Sequence, residues 1–143
     1  MRILNVLIYI LLLAGCDDKS RSNVANNVLE FRELYNKSEF SAIYLDSSED
    51  LKNAISEGEF SAFLEKEVFD IGKYKGDALL NTTITNGKDV SLTYQTEYEK
   101  DYYLELFIYR KENGVYKLYY YTVDTQKRLV LDPITHALKL PNF

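Results

Sequence analysis

Cysteine and histidine are almost missing, with one of each in 143 residues. A single cysteine excludes an internal disulfide framework, and the pair falls short of the usual zinc constellations of several Cys or His ligands. Glycine is sparse, six in all, and no Gly-x-Gly-x-x-Gly or Walker pattern occurs, so dinucleotide and P-loop chemistry finds no cradle. Positive charge is in deficit, with 17 Lys and Arg against 22 Asp and Glu for a formal net charge of −5. Nucleic-acid affinity rests on clustered Lys and Arg, so no nucleic-acid partner is expected. The length suits one domain and is too short for two. Neither a cofactor nor a metal site is implied.

What is present begins at the N-terminus. Met1 and Arg2 precede an almost uninterrupted apolar run, Ile3 to Leu13, and then Ala14-Gly15-Cys16. A basic n-region, an apolar h-region and a small-residue cleavage zone form an export signal. As a helix that run spans about 16 Å, roughly half of a hydrocarbon core, and is too short for a mature transmembrane anchor. Leu13-Ala14-Gly15-Cys16 resembles the lipobox of bacterial lipoproteins. The resemblance implies a diacylglyceryl group on Cys16, cleavage of residues 1–15 before it, and usually acylation of the new amine. The competing reading makes Cys16 a small hydrophobe in a short buried helix. Asp17 resembles the residue that retains enteric-type lipoproteins in the inner membrane, which implies the periplasmic face of that membrane in a Gram-negative cell. Residues 16–23 read as the lipidated cysteine and a polar tether, able to extend about 20–25 Å. A mature chain from Cys16 carries a net charge near −6; general adhesion to anionic lipid is disfavoured and the lipid must hold it.

Residues 24–143 read as one α+β domain. Val24, Val28, Phe31 and Tyr35 recur at helical spacing and predict a helix from about Asn23 to Asn36. Phe40, Ile43 and Tyr44 predict a second, and Ser47-Ser48 with Glu49 and Asp50 start a short third. Ser56-Glu57-Gly58-Glu59 matches a capping box, so a helix is expected over 57–71 with a left-handed glycine cap at Gly72. Beyond Asp77 the residues turn β-branched and aromatic, and Asn86-Gly87 and Asn113-Gly114 signal hairpins. Strands are expected near 77–85, 89–98, 102–111 and 115–123, with a short extra strand at Leu129 and Leu131.

A three-residue loop pairs Tyr98 with Tyr102, and a two-residue turn pairs Glu112 with Val115. One face of the sheet then carries Val90, Leu92, Tyr94, Leu104, Leu106, Ile108, Tyr119, Tyr121 and Val123 toward the helices. The outer face carries Ser91, Thr93, Gln95 and Glu97, then an aromatic cluster of Tyr103, Phe107, Tyr109, Tyr116, Leu118 and Tyr120. Glu105 falls among those rings as a solvated charge.

Helices followed by a curved antiparallel sheet of four to five strands, with Ser56-Glu57-Gly58-Glu59-Phe60 leading through Phe63-Leu64 to Gly72-Lys73-Tyr74-Lys75, resemble small bacterial lipoproteins with a cystatin-like, or nuclear transport factor 2-like, cone. The resemblance implies a fold more than a function. Enzymes on this cone place an acid or base inside it. The expected inner face holds Tyr94, Tyr119 and Tyr121 but no Asp, Glu or His, so general acid/base catalysis lacks its main actor and no catalytic residue is assigned. His136, Asp124 and Asp132 read as bystanders.

Twelve of the thirteen tyrosines lie in the mature chain, and most suit strands and half-buried surface. The outer cluster Tyr103, Phe107, Tyr109, Tyr116, Leu118 and Tyr120 is the candidate site for a protein partner or self-association, unless the tail 125–143 covers it. The expected function is a lipid-anchored envelope protein that binds without catalysis, in a protective role if it captures an incoming toxin or element. The alternative is a small-ligand carrier or degenerate enzyme that uses the cone interior.

Overall fold

The structure, a computed structural model, describes residues 15–125, 130–131 and 138–139, with side chains between 22 and 125. Leu13, Ala14 and the rest of the export segment lie outside the described residues, as do Leu129, Asp132 and His136. The predicted stripe Val24, Val28, Phe31 and Tyr35 is buried, and it belongs to α1 (Gly15–Lys37). This helix starts well upstream of Asn23 and takes in residues 16–23. From Cys16 to Val24 the backbone rises about 12 Å.

Then come α2 (Phe40–Leu45), α3 (Glu49–Ala54) and α4 (Glu57–Ile71). Ser48 caps α3 by accepting from Leu51 N at 3.2 Å. At α4 the Ser56 side chain accepts from Glu59 N while the Glu59 carboxylate accepts from Ser56 N, which satisfies two donors that the first turn leaves free. Gly72 ends the helix at φ +88°, ψ −169°. That is not the left-handed cap expected there but an extended positive-φ region that only glycine adopts readily. The chain uses it to turn from α4 into the sheet.

Strands β1 (Tyr74–Thr85), β2 (Asp89–Tyr98), β3 (Tyr102–Glu112) and β4 (Val115–Asp124) form a curved, unclosed antiparallel meander in chain order. Asn86, Gly87, Asn113 and Gly114 all have positive φ, which is what tight hairpin turns of the favoured hand require. Val130–Leu131 (β5) and Leu138–Lys139 (β6) pair as a separate ribbon.

Two register details correct the expected faces. Tyr102 pairs with Glu97, not Tyr98, so Leu92 lies opposite Phe107; the hairpin closes through Tyr98 N donating to Asp101 O at 2.9 Å. A one-residue slip carries every β3 side chain to the other face. Glu105, Phe107 and Tyr109 therefore turn toward the helices and are buried, while Leu104, Leu106 and Ile108 are half-buried on the outer side. In β4, Leu118 pairs with Tyr109 but Tyr120 pairs with Ile108, and Tyr119 is the extra residue of a bulge. The bulge switches the facing residues along the strand: Tyr116 and Leu118 are buried before it, Tyr121 and Val123 after it. The register thus puts the larger, aromatic set inside, where burial contributes about 1.5–3 kcal/mol for a ring the size of Phe.

Candidate functional site

The flipped β3 brings a carboxylate into the interior. Glu105 is 1% exposed and accepts from Thr96 Oγ1 at 2.6 Å, Tyr98 Oη at 2.6 Å and Tyr121 Oη at 3.2 Å. Arg32 of α1 brings its Nη2 to 2.8 Å from Glu105 and 3.0 Å from Asp77 on β1. Its guanidinium carbon lies 4.2 Å from the Tyr74 ring centre and 4.9 Å from that of Tyr94, and its contacts with the two carboxylates are ion pairs, since none of Nε, Nη1 and Nη2 makes a hydrogen bond among the described residues. Burial alone lowers the pKa of Arg32, but Glu105 and Asp77 outweigh it and leave it raised. Burial, then the negative charge of Glu105, pushes the Tyr98 phenol well up. Burial with the neighbouring Tyr98 and Glu105 does the same at Tyr121. Both phenols stay protonated; Tyr98 donates to Glu105, while the Tyr121 hydroxyl also lies 3.3 Å from that of Tyr98.

The carboxylate end of this network is satisfied, whereas the guanidinium nitrogens are not. Phe31, Phe107 and Tyr121 fill the cone above it, with ring centres 4.6–5.0 Å apart. A second unsatisfied group, besides the Arg32 guanidinium, is Glu67 of α4: it is 7% exposed, and its Oε2 has no partner among the described residues.

The open recess lies beside β4. A cleft of about 570 Å³ runs between α3, the start of α4 and the second half of the strand, walled by Ile55, Phe60, Phe63, Tyr119, Tyr120 and Tyr121. Phe63 packs edge-on against Tyr121, with centres 6.2 Å apart. At the rim Arg110 holds Asp89 through Nε and Nη2 at 2.9 and 2.8 Å and Asp50 through Nη1 at 2.6 Å, and it lies 3.7 Å from the Tyr119 ring centre. The two halves of the β4 edge differ. In the first half Asn27 Nδ2 donates to Tyr116 O and Ser48 N to Leu118 O, each at 2.9 Å. In the second, Tyr119–Val123, no backbone partner caps the edge among the described residues.

The sequence-predicted binding residues are mostly dispersed into the core. Phe107, Tyr109, Tyr116 and Leu118 are buried and Tyr103 is half-buried against them. Tyr120 alone of that set is exposed, at 47%, and it lines the cleft. Cys16 and Asp17 lie in the first turn of α1. Arg32, Asp77, Glu67 and Glu105 escaped the sequence reading; Glu105 carried a signal, a lone charge between strand aromatics, that the shifted register hid. No group of three or more His, Cys, Asp or Glu is placed to hold a metal among the described residues. Comparison with known proteins finds no family model and no curated protein that matches this chain.

Proposed function

We propose that this chain is a lipid-anchored envelope protein that works by binding, and that the β4 cleft receives an extended segment of a protein partner. The binding half rests on one observation: an aromatic-walled cleft of about 570 Å³ lies against a stretch of sheet edge with no backbone partner among the described residues. An edge strand beside a helix offers main-chain hydrogen bonds to an added strand and pockets for its alternate side chains. The volume lies within the range typical of ligand sites. The interior carrier reading has less in its favour, because aromatic rings occupy the cone and its polar groups bond one another. Nor does the arrangement favour catalysis, since the carboxylate of Glu105 is 1% exposed and taken up by its own hydrogen bonds.

The anchoring half rests on the sequence. Leu13-Ala14-Gly15-Cys16 supplies the acceptor thiol for diacylglycerol and acyl chains, and several chains together hold a protein stably in a bilayer. No described helix is long and apolar enough to cross a membrane. With Asp17 following, the inner membrane's periplasmic face is the proposed location in a Gram-negative cell.

A photo-crosslinking residue placed at position 120 in intact cells tests the cleft. A discrete protein adduct is expected, and Phe63→Ala should diminish it at unchanged protein level. Adducts no more discrete than those formed from position 86, on an exposed turn, would overturn the cleft as the site.

A further inference from the structure

We propose that two copies of this chain join through the free edge of β1, residues 76–85 of one running antiparallel to residues 76–85 of the other, so that their sheets become continuous. β1 is an end strand of the meander. Its start is covered, because Asn36 of α1 bonds both backbone groups of Tyr74. From Gly76 to Thr85 the backbone bonds β2 on one side and has no other partner among the described residues. An end strand of that length is a template for a further strand. Its side chains are uncovered as well. Every residue from Asp77 to Asn81 is exposed, with Leu79 at 51% and Leu80 at 43%. Leu79 lies opposite Tyr94 of β2, which is buried. It therefore sits on the face that the helices cover over β2, at a margin they leave open.

Charge and symmetry name the occupant. Residues 78–87 carry no charged side chain in a chain of which 27% is charged, whereas edge strands are ordinarily guarded by Lys or Pro. A segment without charge gives an acidic or basic partner nothing to select, yet it can face its own copy with no like charges opposed. The nearest charges before it are taken up within each copy, Asp77 by Arg32 at 3.0 Å and Lys75 by Glu97 at 3.4 Å. The one guard this edge has is a bulge, and the bulge fits the same arrangement. Leu79 pairs with Tyr94 and Asn81 with Thr93, which leaves Leu80 as the extra residue. Before it Asp77 and Leu79 share the inner face; after it Thr82 and Ile84 do, opposite the buried Leu92 and Val90. A two-fold axis between Leu80 and Asn81 therefore sets Leu79 against the partner's Thr82 and Asp77 against the partner's Ile84, inner face meeting inner face. Both bulges fall on the axis, and the two Leu80 side chains become neighbours across it.

The test places a photo-crosslinking residue at position 83 of the full chain in intact cells. An adduct of twice the chain's mass, holding peptides of this chain alone, is expected. Leu80→Lys and Leu80→Glu, each made singly, should lower it several-fold by setting like charges side by side at the axis. Co-expression of L80K with L80E should restore it, which a merely structural effect of either change would not do. Position 80 is exposed, so protein level and melting midpoint should hold in both variants. The proposal is overturned by an adduct of doubled mass no stronger than that from position 29, on an exposed part of α1. It is equally overturned by an adduct containing a different protein, by one that survives both single changes, or by failure of the mixed pair to restore it.

Discussion

Glu105 and Glu67 share one interior and meet opposite fates. Glu105 accepts from Thr96, Tyr98 and Tyr121 and is ion-paired with Arg32, so its charge is answered by donors and a counter-charge, as a buried charge requires. Glu67 has an oxygen with no partner among the described residues, and burial pushes its carboxyl up to about 8, against a smaller downward pull from a Tyr121 hydrogen bond and with further upward pushes from Glu105 and Asp70. A folded-state pKa raised above the unfolded one makes the native state the tighter proton binder. Stability should therefore be unaffected by this group in acid. It should fall as pH rises from the ordinary carboxyl range toward about 8, by at most about 1.4 kcal/mol per pH unit, and level off beyond. Glu67→Gln keeps the shape and removes the titration. Thermal unfolding of the two proteins compared between about pH 5 and pH 8 should show a declining midpoint in the parent and a flatter one in the variant. Parallel curves would mean that Glu67 ionises in the native state as freely as in the unfolded chain.

Elements were more legible in the sequence than their registers. The stripe from Val24 to Tyr35, the Ser56/Glu59 box and the two Asn-Gly turns each encode a local geometry, and the structure has α1, α4 and both hairpins where those residues put them. The faces of β3 and β4 depend instead on a loop one residue longer than expected and on a bulge at Tyr119. Neither has a strong residue signature, because both strands are apolar or aromatic on both faces and either register buries a plausible set. The candidate site inherited that ambiguity: Tyr120 was legible, whereas Ile55, Phe60 and Phe63 join it through tertiary packing alone. The corrected register carries its own prediction. Phe107→Ala should cost about 3–5 kcal/mol as a core truncation, and Tyr120→Ala should stay within about 0.5 kcal/mol as a surface one; denaturant titration of both separates the two registers, because the outer-face assignment requires a small cost for each. At Gly72 the same logic applies to a helix end. A Cβ there meets Glu99 Cβ at 2.6 Å in a backbone region closed to other residues, so Gly72→Ala should lose about 1–3 kcal/mol. Glu99→Gly in the same background, which removes the Cβ as well as the carboxylate, should recover only the steric part of that loss.

For the molecule as a whole, the question is whether Cys16 serves the bilayer or the fold. The buried stripe of α1 begins at Val24, and the residues just before it, Ser22 and Asn23, are exposed. Among the residues whose side chains are described, the packed stripe thus begins at Val24. If Cys16 carries acyl chains, Cys16→Ser should lose their mass and become extractable from membranes by salt or alkali without detergent, since an apolar run of half a bilayer's thickness holds poorly. The unfolding midpoint of its domain should meanwhile move by less than about 2 °C, the size of effect a substitution away from the core has. A cysteine that filled a core position would behave in the opposite way, with membrane attachment and mass unchanged and the midpoint depressed. Intact-mass spectrometry, carbonate extraction and a melting curve on the two proteins therefore assign the residue to the membrane or to the core. The helical stem from Cys16 to Val24 then fixes how far from the lipid the β4 cleft can stand.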